Sequence, residues 1–172
     1  EQGSLEVEVR VSNLAGHKLP SGYPSRRAWL RVAVSDAAGR VVFVSGALDP
    51  SGMIQGNDND TDAARFEPHY VRITGPDQVQ IYEDIMVDHA GKVTTGLLWG
   101  ARYVKANRLL PRGFEKATAS SDVAVQGAAR DDADFVGGSD LVRYSVGVGD
   151  ARPPFTVVAE LWYQPIGYRW AM

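Results

Sequence analysis

An uninterrupted alternation of apolar and polar residues opens this chain and recurs along most of its length. Residues 5–12 read Leu-Glu-Val-Glu-Val-Arg-Val-Ser, so all of their apolar side chains share one face of an extended segment. A period of two residues sustained over this length is typical of a strand with one buried face and one exposed face. Residues 5–12 are therefore predicted to form a half-buried β-strand.

Turn residues separate two further pairs of strand-like segments. Asp36-Ala37-Ala38-Gly39 joins the first pair, and Asp88-His89-Ala90-Gly91 joins the second pair. Two apolar runs divided by a short polar turn predict a β-hairpin. The hairpin strands are predicted at residues 28–35 with 41–44, and at 79–87 with 93–99.

The rest of the chain extends the same pattern and contains no long amphipathic helical stretch. Residues 141–148 and 155–164 are predicted strands, whereas residues 101–110 fit either a strand or a short helix ended by Pro111. Long polar segments occupy 49–68 and 115–138. About seven to eight strands separated by turns favour an all-β fold, an antiparallel β-sandwich with long loops.

Length and charge limit the class of protein. The chain has 172 residues, which fits one domain over residues 1–172. A formal charge of −3 does not favour binding to nucleic acid, and no apolar stretch reaches the ~18 residues of a membrane span. The first residues enter a strand directly and the last follow an aromatic run, so we expect a fragment of a longer polypeptide.

The absence of cysteine removes several kinds of chemistry. The chain contains no cysteine, which excludes disulfides, thiolate nucleophiles, cysteine-ligated metals and the C-x-x-C-H motif of covalent haem attachment. Neither a Gly-x-Ser-x-Gly elbow nor a glycine-rich phosphate loop is present. We therefore expect no catalytic machinery; an enzyme would require His69 or His89 to converge with acidic side chains.

His17 is the strongest candidate ligand among the three histidines. It lies in a loop whose glycines and prolines restrict the backbone, and a rigid loop can aim a neutral imidazole at a metal such as haem iron. Arg26 and Arg27 follow in the same loop and are candidates for pairing with a carboxylate such as a haem propionate. These residues form the predicted cofactor-facing loop. Surface ion pairs are the alternative for the arginines.

A short acidic run offers a second candidate site. Asp58, Asp60 and Asp62 supply hard oxygen donors of the kind that Ca²⁺ prefers. The run does not follow the EF-hand pattern, since Ala63 stands at the position of the invariant glycine and His69 at that of the final glutamate. A solvated acidic loop and a calcium site both remain open for these residues.

Five segments resemble the C-terminal region of bacterial multihaem c-type cytochromes. The matching stretches cover nearly the whole chain, and the first and fourth are the most specific. They are Gly-His-Lys-Leu-Pro-Ser-Gly-Tyr-Pro-Ser-Arg-Arg-Ala-Trp-Leu (16–30), Phe-Glu-Pro-His-Tyr (66–70), Gln-Ile-Tyr-Glu-Asp (80–84), Asn-Arg-Leu-Leu-Pro-Arg-Gly-Phe (107–114) and Leu-Trp-Tyr-Gln-Pro-Ile-Gly-Tyr-Arg-Trp (161–170).

The resemblance implies an exported, periplasmic protein of electron transfer whose haem c groups lie upstream. This chain would then be an accessory domain that packs on the haem-binding domain of the same chain or docks a redox partner, with His17 as the nominated axial ligand. Such a domain should expose an apolar patch. The alternative is an extracellular module for carbohydrate or another ligand, which should present solvent-facing aromatic rings or a bound Ca²⁺.

Overall fold

Ten strands and two one-turn helices occur in residues 3–171, the part of the chain that a computed structural model describes. None of the helices in this range has the length and apolar character needed to cross a membrane. The strands are β1 (Gly3–Ser12), β2 (Arg27–Ser35), β3 (Val41–Ser45), β4 (Arg72–Ile73), β5 (Ile81–Tyr82), β6 (Asp84–Val87), β7 (Val93–Thr94), β8 (Arg102–Ala106), β9 (Ser139–Gly149) and β10 (Thr156–Gln164). The helices are α1 (Asp58–Thr61) and α2 (Tyr168–Ala171), and Ala128–Arg130 form a 3₁₀ turn.

The strands form three sheets. One has the order β1-β9-β4, the second has the order β10-β2-β3 with β5 also paired to β2, and the third has the order β7-β6-β8. Every pairing is antiparallel except the short one between β4 and β9. The predicted all-β sandwich is confirmed. The count exceeds the predicted seven to eight because β4, β5 and β7 have only two residues each.

The main core lies between the inner faces of the first two sheets. Alternate residues of β2 and β9 point into it, as the period of two predicted. Burial of each such side chain stabilises the fold by roughly 1.5–3 kcal/mol. The central members are Leu30, Val32 and Val34 of β2 with Val142, Tyr144 and Val146 of β9.

The outer face of β2 is buried as well, because part of the long loop covers it. Trp29 packs there in a second cluster with Ile54 and Ile81, and its indole Nε1 donates a hydrogen bond of 2.9 Å to the carbonyl of Gly46. Gly46 has a φ of +76°, a left-handed conformation that glycine adopts without a Cβ clash. The loop predicted at 49–68 thus contributes Ile54 to this cluster, and it contains α1.

The strand predicted over residues 79–87 is divided into β5 and β6, which belong to different sheets. The division falls at Glu83, whose N–H donates to the side-chain Oδ1 of Asn107 and whose carbonyl accepts from the N–H of Asn107. One asparagine thus occupies both backbone groups that a continuous strand would pair. The predicted hairpin is reduced to the pairing of β6 with β7, because only Val93–Thr94 of the predicted strand 93–99 are extended. The ambiguous residues 101–110 contain β8.

Strand β10 lies at the edge of its sheet with its inner face uncovered. Leu161 is directly opposite Leu30 and Val157 is opposite Val34, both of which are core residues of β2. Leu161 is nevertheless 42% exposed, and Tyr163, on the same face, is 54% exposed. A long apolar edge strand is a surface on which proteins pair or pack, so this edge is open to a neighbour.

Candidate functional site

The loop that carries His17 is held in place by backbone contacts with the segment after β8. Leu19 and Leu109 exchange two backbone hydrogen bonds of 2.9 and 2.8 Å. Asn13 adds to this, since its Nδ2 donates to the carbonyl of His17 at 2.8 Å and to that of Leu109 at 3.0 Å. Two of the segments that carry the cytochrome resemblance therefore pack together and fix the loop.

The ring of His17 is exposed, and its protonation pattern follows from one contact. Nδ1 lies 2.9 Å from the backbone carbonyl of Lys18. A carbonyl oxygen only accepts hydrogen bonds, so Nδ1 carries the proton and Nε2 keeps its lone pair. A histidine that binds a metal through one nitrogen usually donates the other N–H to an acceptor of this kind. Neutral His17 thus presents Nε2 to the solvent in the tautomer that ligates metal.

The two arginines predicted beside His17 differ in their surroundings. Arg26 is half-buried, and its Nη1 donates to the carbonyl of Ser21. Arg27 is buried and forms a two-pronged ion pair with Asp60, with Nη1–Oδ1 and Nη2–Oδ2 distances of 2.6 and 2.8 Å. Its guanidinium is therefore engaged inside the fold. A role of either arginine toward a cofactor stays a prediction.

The three carboxylates of the predicted calcium site have separate partners. Asp58 pairs with Arg65 at 2.8 Å, Asp60 is the buried partner of Arg27, and Asp62 accepts a backbone N–H two residues further on. They do not form a group of converging ligand atoms among residues 3–171. The prediction of calcium binding gains no support from this arrangement.

A buried cluster does bring His69 together with two acids, Asp132 and Asp140. The candidate ligand atoms of these side chains lie within 4.8 Å of one another, and all three residues are buried. Gln80 and Asn107 complete the cluster through contacts with the imidazole. Of the five segments that carry the resemblance, three supply residues to this cluster: 66–70, 80–84 and 107–114.

The hydrogen bonds of two amides determine the tautomer of His69. Gln80 Oε1 accepts from the N–H of Tyr70, and Asn107 Oδ1 accepts from the N–H of Glu83. Their amide nitrogens therefore face the ring, at 2.8 and 3.0 Å from Nδ1. An amide nitrogen only donates, so Nδ1 of His69 accepts both bonds and the ring proton resides on Nε2.

This tautomer does not fit a metal centre at the buried cluster. His69 Nε2–H donates to Asp132 Oδ2 at 3.0 Å, so the nitrogen nearest the acids has no free lone pair. Moving its proton to Nδ1 would set that proton against two amide donors. The side chain of His69 is also fully buried, which keeps a substrate away from the ring. The contacts of His69 therefore form an interior hydrogen-bonded cluster that is closed to solvent.

Asp140 is the unusual member of the cluster. Its Oδ2 accepts from Tyr82 Oη at 2.8 Å and from Gln80 Nε2 at 3.1 Å. Its Oδ1 is buried without a hydrogen-bond partner and lies 4.0 Å from His69 Nε2. Desolvation by burial raises the pKa of this carboxyl above its ordinary value, despite the opposing effect of these neighbours.

A raised pKa gives Asp140 a definite effect on stability. The folded state binds this proton more tightly than the unfolded state, so the carboxyl favours folding below the unfolded pKa of about 4, and this contribution is lost as the pH rises through the folded pKa. We expect wild type to lose stability relative to Asp140→Asn as pH rises, measured by urea unfolding at several pH values. The control Asp131→Asn changes an exposed residue and should leave the dependence of stability on pH as in wild type. If wild type instead gains stability over Asp140→Asn as pH rises, the raised pKa of Asp140 is contradicted.

An open cavity of about 650 Å³ lies beside the His17 loop. Its volume is within the range of roughly 300–1,000 Å³ that is usual for ligand pockets. Three basic side chains and two acidic ones line it, so the lining carries a net charge of +1 when all are ionised. Its lining includes Lys18, Asp84, Met86, Leu97, Arg102, Tyr103, Arg108 and Asp122.

The charged groups of this cavity are partly buried. Arg108 Nε lies 2.8 Å from Asp84 Oδ2, but the guanidinium N–H does not point at the carboxylate, and both oxygens of Asp84 lack a well-aligned hydrogen bond. Burial raises the pKa of Asp84. Burial, followed by the charge of Arg108, lowers the pKa of Lys18. The cavity therefore holds two cations close together, Lys18 and Arg108, and an incoming anion would offset the repulsion between them.

Apolar side chains project from the loop that borders the cavity. Leu97 lines the cavity, and the next two residues, Leu98 and Trp99, are 98% and 71% exposed. Tyr103 adds a partly exposed ring to the same cavity wall. Consecutive large apolar residues with this exposure are typical of an interaction surface. Together with the basic groups they form a face that is apolar at its rim and cationic inside.

Two aromatic residues near the C-terminal end pack against rings from the N-terminal part of the chain. Trp162 packs edge-on against Trp29, with ring centroids 5.9 Å apart. Trp170 packs in the same manner against Tyr23 at 5.5 Å. Trp162 is half-buried and packs beside the second cluster. These pairs do not form the solvent-facing row of rings that a carbohydrate-binding module would present.

Comparisons with known proteins find a distant similarity in structure. No protein-family model matches the chain, and no curated protein matches it. The crystal structure of a penta-heme cytochrome c552 from Thermochromatium tepidum is similar, with a TM-score of 0.54 and 15% sequence identity over 97% of this chain. The chain spans 30% of the length of that cytochrome. The likeness shows a shared fold.

Proposed function

We propose that this chain is a haem-free β-sandwich that packs on a haem-binding domain, and that His17 supplies an axial ligand to a haem carried by that domain. The haem-binding domain would belong to the same polypeptide or to a redox partner, in the periplasm or another exported location. Packing of low-dielectric protein beside a haem changes its solvent exposure and its reduction potential without chemistry by the covering domain. The chain would thus act in electron transfer as an accessory domain.

The observation that carries this proposal is the geometry of His17. Its Nδ1–H donates to the carbonyl of Lys18, its Nε2 is free, and its loop is fixed by Asn13 and Leu109. A preorganised, exposed imidazole with no partner for Nε2 among the described residues is suited to a metal held by another molecule. Since the chain has no cysteine, it cannot attach such a haem covalently.

Two further features support a neighbour of this kind. The exposed apolar residues Leu98 and Trp99, and the uncovered inner face of β10, are surfaces that a packed domain would bury. The fold also matches less than a third of a penta-heme cytochrome, so most of that chain lies outside the shared β-rich region. A covering role beside haem domains is consistent with both.

The proposal is tested with a soluble c-type haem peptide whose sixth coordination position is occupied by water. Coordination by Nε2 of His17 is expected to convert the iron from high spin to low spin, with a shift of the Soret band as the chain is titrated. His17→Ala should remove at least nine-tenths of this change, because the ligand itself is lost. The measurement is the visible spectrum as a function of chain concentration.

His89→Ala provides the matched control, since His89 is an exposed histidine in the turn between β6 and β7. This variant should behave as wild type. Equal spectra for the wild-type and His17→Ala chains would contradict the role of His17 as a haem ligand. An equal loss of the low-spin signal in His17→Ala and His89→Ala would contradict it too.

A further inference from the structure

The cavity beside His17 has the chemistry of a carboxylate site with an apolar entrance. Lys18, which follows His17 directly, contributes to its lining, as do Arg102 and Arg108. Met86, Leu97 and Tyr103 provide apolar surface in the same cavity. A ligand that fits must combine negative oxygens with a large apolar body.

We propose that this cavity binds the propionate edge of the haem to which His17 is a ligand, with Lys18 and Arg102 as the carboxylate-binding groups. This inference rests on the proposed function and extends it, because it assigns the anionic side of the haem to Lys18 and Arg102 and not to the predicted arginines Arg26 and Arg27. Arginine in particular pairs with carboxylates through two parallel N–H groups.

The two acidic residues of the cavity already have contacts with neighbouring side chains. Asp84 lies 2.8 Å from the Arg108 guanidinium, and burial raises the pKa of its carboxyl. Asp122 is exposed, and it accepts a hydrogen bond from Ser120. Lys18 and Arg102 are left as the groups whose charge an incoming carboxylate would neutralise.

Lys18 is also positioned rather than mobile. Its Nζ donates to the backbone carbonyl of Val123 at 2.6 Å and lies 5.1 Å from the centroid of the Phe114 ring. An ammonium held by one carbonyl keeps two further N–H donors for a ligand. The side chain therefore needs little reorganisation to bind a carboxylate beside the His17 loop.

The test compares the free acid of the same c-type haem peptide with its form in which both propionates are methyl esters. Calorimetry with wild type should show binding of the free acid that is at least tenfold tighter than that of the ester. Arg102→Ala, at an exposed position, should weaken binding of the free acid. The double variant Lys18→Ala/Arg102→Ala should weaken it by tenfold or more. Neither variant should change binding of the ester. Arg130→Ala, at an exposed position of the 3₁₀ turn, is the control for lost positive charge.

The outcomes separate this inference from the proposed function. If the acid and ester bind wild type equally, or if both cavity variants bind the acid as wild type does, the cavity assignment is overturned. In that case a low-spin spectrum that still depends on His17 leaves the proposed function standing. If wild type gives no low-spin spectrum with either peptide, both ideas fail together. Circular dichroism of each variant confirms that the comparison is made between folded proteins.

Discussion

Replacing Asp60 with alanine should lower the free energy of unfolding by about 3–5 kcal/mol, the cost usual for removing one partner of a buried ion pair. Asp60 is the only acid bonded to the Arg27 guanidinium within the described residues, and the side chains of both are almost fully buried. The variant would leave the Arg27 charge in the interior without a counterion. It would also remove the acceptor for the backbone N–H of Ile54, at 2.9 Å.

Urea unfolding followed by tryptophan fluorescence measures this change. Arg65→Ala is the matched control, because Arg65 pairs with Asp58 in the same segment but is largely exposed, and exposed pairs contribute little. The double variant Arg27→Met/Asp60→Leu should recover much of the loss, since it removes both charges. A loss for Asp60→Ala no larger than that for Arg65→Ala would show that the buried pair does not stabilise the fold.

Replacing Trp29 with alanine should cost about 3–5 kcal/mol, as is usual for a large buried aromatic side chain. Trp29 is 1% exposed, and its ring contacts Trp162 while its indole N–H donates to Gly46. The substitution would leave a cavity on the outer face of β2 and an unpaired carbonyl. Urea unfolding followed by circular dichroism measures this loss in the free energy of unfolding.

The exposed Trp99 supplies the comparison for this prediction. Trp99→Ala removes the same side chain from a surface position, so its effect on unfolding should be small. Equal effects of the two substitutions would mean that the face of β2 beneath the long loop is not packed as described.

The strands and turns of this fold could be predicted because their signal is local. The alternation in residues 5–12 is a property of adjacent residues, and it predicts β1 correctly within a larger strand. The same holds for β2 and β10. Local alternation is lost where both faces are buried, as in residues 81–87, and the division at Glu83 depends on Asn107, which is distant in sequence.

The polar contacts of the interior could not be predicted in the same way. Arg27 and Asp60 are 33 positions apart, and Lys105 and Glu83, whose buried contact is 3.0 Å, are 22 apart. Each residue alone is typical of a solvated surface, and only the tertiary fold brings the partners together. His17 could be chosen as a candidate ligand because its loop composition is distinctive, whereas its tautomer follows only from the position of the Lys18 carbonyl.

The central claim is that this chain is a haem-free domain that packs on a haem-binding neighbour. It is tested most directly by the covalent haem content of the complete natural protein, purified with its stable partners. The haem is measured as the pyridine haemochrome. We predict that haem remains attached to the protein after acid–acetone extraction, on polypeptide outside the cysteine-free segment. A complete natural protein that carries no haem and associates with no haem-bearing polypeptide would contradict this account.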